Sequence, residues 1–178
     1  MKYPEDKNIL NFIISNNDIC EIIRDDLDTI EGTPIKYNKE FILIAYNYDF
    51  EFDGYKIVMF KDINNIKYDE VDIFISAILK KENIAPKIKK VLSLKIDNFE
   101  IIFKYFYNKK ENIIIECERN SEFNIGRILK IYDDHIMFLN FNGEGTWDKD
   151  PLDIYYEDIT LISFRNRYVK YMSKYVHN

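Results

Sequence analysis

Two cysteines, two histidines, five glycines and four prolines in 178 residues leave little material for several kinds of chemistry. Cys20 and Cys117 are far apart, with no Cys-x-x-Cys spacing. That excludes a disulfide framework or a zinc ribbon and leaves two buried structural thiols as the reading. His135 opens an apolar strand beside Asp133 and Asp134, where a surface position is expected, and His177 lies at the C-terminal end, where mobility is expected. Without a His or Cys cluster, no transition-metal site is expected. No Gly-rich phosphate loop and no Gly-x-Ser-x-Gly elbow occur, so no cofactor is expected. Scarce Gly and Pro imply mostly regular structure with short connections. The longest wholly apolar run, Phe41 to Tyr46, is too short to cross a bilayer. The opening MKYPEDKNIL has no apolar segment of a signal peptide, so a cytoplasmic location is expected. Positive charge is also short. Twenty-five Lys and Arg against 31 Asp and Glu give a formal charge of −6, which argues against a dedicated nucleic-acid binder.

What the chain does have is apolar and aromatic bulk, 47% and 16% of its residues, enough to build a core. The periodicity predicts a helix from Tyr3 to Ser15 with Ile9, Phe12 and Ile13 on one face. Strands follow at Ile19 to Arg24, Phe41 to Tyr46, Tyr55 to Phe60 and Ile63 to Ile66. A second helix carries Val71, Phe74, Ile75 and Ile78 at i, i+3, i+4 and i+7. The order then repeats. A capping box at Asp97 to Glu100 starts a helix carrying Phe99, Phe103, Phe106 and Tyr107; strands include Ile113 to Cys117 and His135 to Phe141; and Tyr168, Tyr171, Met172 and Tyr175 form a closing stripe. Phe12 and Phe106, Gly32 and Gly126, and Ile42 and Ile136 all stand 94 apart, and Ile66 and Ile162 stand 96 apart, so the later copy needs two extra loop residues. Val71 and Tyr168 differ by 97. The fold class expected is mainly β with flanking α-helices. Two units in tandem, 1–84 and 99–178, are joined by a basic connector, 85–98, with Lys87, Lys89 and Lys90 near Pro86.

In the later copy Gly126, Leu129, Asp133 and Met137 follow the pattern of a Gly-led strand that turns at an Asp before an apolar strand. On these residues each unit resembles the Sm-like and SH3-like small β-barrels. The resemblance implies two helix-plus-small-barrel units. The basic Arg-Gly or Lys-Gly element of the second Sm motif is replaced by Lys61, Asp62, Ile63 and by Glu157, Asp158, Ile159, so no binding of uridine-rich RNA is expected.

Asp49, Glu51, Asp53 and Gly54 imitate the start of an EF-hand loop, but Phe60 stands where its last ligand belongs, and an acidic hairpin is the reading. Asp148, Asp150, Glu157 and Asp158 are dense enough to suggest a carboxylate-dependent hydrolase as an alternative. The main expectation is a non-enzymatic, acidic protein-interaction module with no catalytic, cofactor or metal residues. Its surface is placed on Phe50, Phe52, Asp53 and Tyr55 in one loop and on Trp147, Asp148 and Asp150 in the other. Aromatic anchors ringed by carboxylates suit a basic protein partner. A weaker alternative is an RNA-binding Sm-like protein. For Trp147 the competing reading is that it caps its own unit.

Overall fold

Ile, Val, Phe and Tyr fill the segments that become strands, and the chain is accordingly mainly β with flanking helices. The computed structural model describes residues 7–84 and 91–177. It divides into two compact units, Met1–Ser93 and Leu94–Asn178. Lys87, Lys89 and Lys90 of the expected connector lie outside the described residues, whereas Val91, Leu94 and Ile96 are buried.

The first unit runs α1 (Lys7–Asn16), β1 (Cys20–Arg24), β2 (Leu27–Tyr37), β3 (Phe41–Tyr48), β4 (Glu51–Met59), β5 (Ile63–Lys67) and α2 (Glu70–Lys81). Its strands pair antiparallel in the order β5-β1-β2-β3-β4. In β3 the run Phe41 to Ala45 is buried on successive residues, as a strand covered on both faces requires. The Asn38 side chain accepts from the amides of Glu40 and Phe41, which turns the chain tightly from β2 into β3.

The second unit runs α3 (Phe99–Lys109), β6 (Ile113–Cys117), β7 (Glu122–Ile131), β8 (His135–Asn140), β9 (Leu152–Tyr155), β10 (Leu161–Phe164) and α4 (Arg167–Tyr175). Its order, β10-β6-β7-β8-β9, is the first unit's order again. The closed barrel expected of each unit is not formed. Within a unit the fifth strand pairs with the first and the fourth with the third, and fourth and fifth do not pair with each other, so neither set of five strands closes on itself, and the ten strands belong to one open sheet.

The offset of 94 holds residue by residue across the central hairpin. Gly32 faces Tyr46, Pro34 faces Ile44, the register slips, and Tyr37 faces Ile42. In the second unit Gly126 faces Asn140, Ile128 faces Phe138, the register slips, and Ile131 faces Ile136. The shared bulge explains how Pro34 sits in an interior strand, since a bulge tolerates a missing N–H. Both glycines lie inside their strands and mark a close approach of two backbones, so Gly126 does not lead its strand as expected. A Cβ on Gly32 would lie 2.6 Å from the Ala45 carbonyl oxygen, and one on Gly126 would lie 2.0 Å from that of Leu139. Ile42 faces Val58 and Ile136 faces Ile154, which puts the two extra residues in the β8–β9 loop.

The N-terminal helices require a correction. Leu10 and Ile13 are fully buried in α1 while Phe12 is 53% exposed, and Phe103 and Phe106 are fully buried in α3. The buried faces therefore match at an offset of 93, one residue from the Phe12 and Phe106 pairing. The same offset relates β1 to β6, where Cys20 and Ile113 face the two glycines. The cap of α3 is also displaced: Asn98, not Asp97, accepts from the Ile101 amide.

Candidate interaction surfaces

The first expected surface is a tight hairpin. Asp49 and Phe50 join β3 to β4 with φ of 46° and 63°, the left-handed pair of a type I′ turn, which favours Asn-Gly or Asp-Gly. Phe50 is an expensive residue there, at about 1 kcal/mol or more, and it is 47% exposed. Tyr48, Asp49 and Glu51 are exposed beside it, and Phe52 and Asp53 are half-buried. Tyr55 is only 2% exposed and meets Phe52 edge-on, so it packs inward and is withdrawn from the surface. The hairpin is negative. Burial first, then the charge of Asp53, pushes the nearby Tyr46 hydroxyl above its usual range.

The second expected surface is held down by its own unit. Trp147 is half-buried, edge-on to Phe141 at 5.1 Å, with the Arg127 guanidinium over its ring at 4.5 Å. It joins Met172 and Val176 of the C-terminal segment on a cluster of Ile114, Ile125, Phe141 and Val169. Asp148 accepts from the Asn140 amide, and Asp150 is exposed. The Asn142 side chain accepts from the amides of Glu144 and Thr146. His177, expected to be mobile, donates from its backbone N–H to the Gly145 carbonyl. A loop tied at so many points is a cap on its unit.

The closing helices present surfaces that periodicity alone misplaced. In α2 the expected stripe turns inward only in part: Ile75 and Ile78 are half-buried, Val71 and Phe74 are exposed, Phe74 at 67%, as is Ile73 beside them, while Asp72, Ser76 and Leu79 are buried. The cause is polar docking. The Ser76 hydroxyl accepts from the Ile19 amide, Lys80 pairs with Asp18, and Asp18 also accepts from the Tyr68 hydroxyl. Burial, and then that hydrogen bond to Asp18, pushes Tyr68 up to about 12. Asp69 and Asp72 cap the helix reciprocally, a capping box that holds the buried carboxylate in place.

In α4 the expected stripe splits. Val169 and Met172 turn in, and Tyr168, Tyr171 and Tyr175 turn out, Tyr171 at 57% exposure. Val71, Phe74 and Ile78 correspond to Tyr168, Tyr171 and Tyr175 at the offset of 97. The docking recurs too. Asn166 caps α4 as Asp69 caps α2, and just before it Arg165 forks onto both Glu111 oxygens at 2.7 and 2.9 Å. Glu111 stands where Asp18 stands in the first unit, after the N-terminal helix.

The remaining titratable groups are dispersed. His135 is half-buried, stacked on Tyr132 at 4.3 Å and hydrogen-bonded to Asp134. This is a more enclosed place than the surface position expected. Cys20 and Cys117 are buried and free of disulfide, and burial pushes the Cys20 thiol up to about 12, which makes it unreactive. Among the described residues no group of three or more His, Cys, Asp or Glu side chains is placed to hold a metal ion. None of their helices is long and apolar enough to cross a membrane. No protein-family model matches the chain, and no curated protein or solved structure matches it.

Proposed function

We propose that the protein is a non-enzymatic, acidic, cytoplasmic protein-interaction module built from two helix-flanked units in tandem, whose strand order and bulged central hairpin are those of an opened Sm-like or SH3-like unit. The repeated strand order, the shared register and bulge, and the matched glycines support the tandem reading. One observation carries the function: the closing helix of each unit turns the same face outward, and that face is apolar or aromatic both times. In α2 the inversion is costly, because a carboxylate is buried while Val71, Ile73 and Phe74 meet water. Exposed contiguous apolar surface of this kind marks contact sites. The partner is a protein. The hairpin residues Phe50, Phe52 and Asp53 supply a second, negatively charged contact, suited to a basic surface.

The test is a capture from native lysate with wild type and Val71→Asp/Phe74→Asp, the bound material being separated into protein and nucleic acid. The double variant is expected to melt at or above the wild-type temperature and to lose a protein captured by the wild type. An unchanged captured set, or capture of nucleic acid alone, refutes the reading.

A further inference from the structure

Charge is sharply segregated along this chain. All 31 carboxylates precede Ile159, and only Arg165, Arg167, Lys170 and Lys174 carry charge after it. Arg165 is taken up by Glu111. The other three lie on α4 among the outward tyrosines, with Lys170 over the Tyr171 ring and Lys174 over that of Tyr175. Neither lysine pairs with a carboxylate among the described residues. Among the described residues the acidic chain thus carries a basic, aromatic helix face on α4. It also carries that face's complement, the β3–β4 tip, where Asp49 and Glu51 flank the exposed Phe50 and Tyr48.

We propose that the outward face of α4 receives the β3–β4 hairpin tip of a second copy of this chain. The inference rests on reading the protein as an interaction module and names one of its partners. Carboxylates on the tip meet Lys170 and Lys174, and the Phe50 ring enters among tyrosines spaced one and two helical turns apart. At physiological salt the screening length is about 8 Å, so the facing groups outweigh the net charge of −6 on each copy. Each copy owns one tip and one α4, so the contact either closes as a twofold pair or continues as an open chain. A hairpin tip on one helix face is a small contact, below the roughly 1,200 Å² of stable complexes, and the association is accordingly weak.

Sedimentation of the full-length protein tests this, over roughly 10–500 µM, where weak contacts populate. Wild type is expected to gain mass with concentration. Lys170→Glu/Lys174→Glu and Glu51→Lys are each expected to weaken association about tenfold by placing like charges opposite one another. A one-to-one mixture of the two variants restores the wild-type contact between the tip of one and the α4 of the other and is expected to associate more strongly than either variant alone. Phe50→Gly, which suits the turn, is expected to weaken association without unfolding and serves if Glu51→Lys does not fold. A wild type that stays monomeric throughout, variants that associate unchanged, or a mixture no better than its components overturns the proposal. So does a monomer whose α4 face instead binds an oligonucleotide or anionic vesicles and loses that binding in the α4 variant. A wild type that does not self-associate, with Phe74-dependent capture intact, refutes this contact alone and leaves the module reading standing.

Discussion

Replacing Gly126, Gly32 and Gly143 in turn by Ala tests whether the matched hairpins rest on close backbone approach. At Gly126 the added methyl would sit 2.0 Å from the Leu139 carbonyl oxygen, 2.9 Å from its carbon and 3.0 Å from the Asn140 Cα. All three are backbone, so β8 has to move away by over an ångström, and the flanking ladder bond from the Phe141 amide to the Ile125 carbonyl stretches. Overpacking costs about 1–3 kcal/mol, and weakened ladder bonds add about 1 each. Against this, Ala regains about 0.5–1 kcal/mol of the chain entropy that Gly loses on folding. The net expectation is a loss of about 3 kcal/mol, or roughly 10 °C in melting temperature for a chain of this size. At Gly32 the nearest atom is the Ile44 Cγ2 at 2.5 Å, with the Ala45 oxygen at 2.6 Å. Part of that strain falls on a side chain, and a loss of about 1–2 kcal/mol follows. Nothing lies within 4 Å of a Cβ at Gly143, so that variant stays within about 0.5 kcal/mol of wild type. Circular-dichroism melts and urea titrations of the three proteins give the ranking. If Gly126→Ala melts with Gly143→Ala, or Gly32→Ala is the worst of the three, close approach is not what the repeated glycines secure.

Arg165→Ala removes both forked bonds to the partly buried Glu111 and is expected to cost about 2 kcal/mol in urea titrations, less than a fully buried pair because solvent reaches it. Phe50→Gly replaces a strained aromatic by the residue the turn favours and is expected to raise stability by about 1 kcal/mol, read by the same titration. Asp72→Asn has a pH signature. Burial raises the carboxyl above its usual range, against the lowering effect of the Asp69 amide, so the folded state holds this proton to higher pH than the unfolded state does. The penalty for its charge is full at neutral pH and absent once both states are protonated. Asn is therefore expected to be more stable than Asp at pH 7, with the gain vanishing as pH falls through the raised value and below the unfolded one; a gain that persists at pH 3 refutes the assignment.

Much of the fold was legible because short-range patterns decided it. Ile113 to Cys117 matches β6 as read, β8 was met to within a residue, and the extra loop residues were placed between the correct strands. Period-two and continuous apolar runs identify strands whatever packs on them. The constant offset carried register because a slip of one residue would turn every side chain over. Closure of the sheets was not legible, since which strand takes up which edge is a property of pairs far apart in sequence. Which of the candidate aromatics stays exposed was not legible, for a similar reason. Phe50 and Trp147 are equally aromatic in sequence, but only Trp147 has Arg127, Phe141 and the C-terminal residues to pack on.

The closing helices show where periodicity loses its force. In α2, Val71, Phe74, Ile75 and Ile78 share one face and Asp72, Ser76 and Leu79 another, and both sets have helical spacing. Choosing between them from hydrophobicity selects the first, because burying Asp72 without partners is unfavourable by several kcal/mol. The structure selects the second because partners exist. Ile19 lies 57 residues before Ser76 and supplies the hydroxyl's donor, and Asp18 lies 62 residues before Lys80. Polar anchoring of the inner face leaves the apolar face free to meet something else. In α4 the polar docking recurs, with Arg165 on Glu111 and the Ser173 hydroxyl accepting from the Asn112 side chain, beside apolar contacts from Val169 and Met172, and Tyr168, Tyr171 and Tyr175 again point outward. The docking and the exposed face recur together in both units, and the residues of the exposed face take no part in the docking. Substitutions on that face are therefore expected to alter binding before they alter stability.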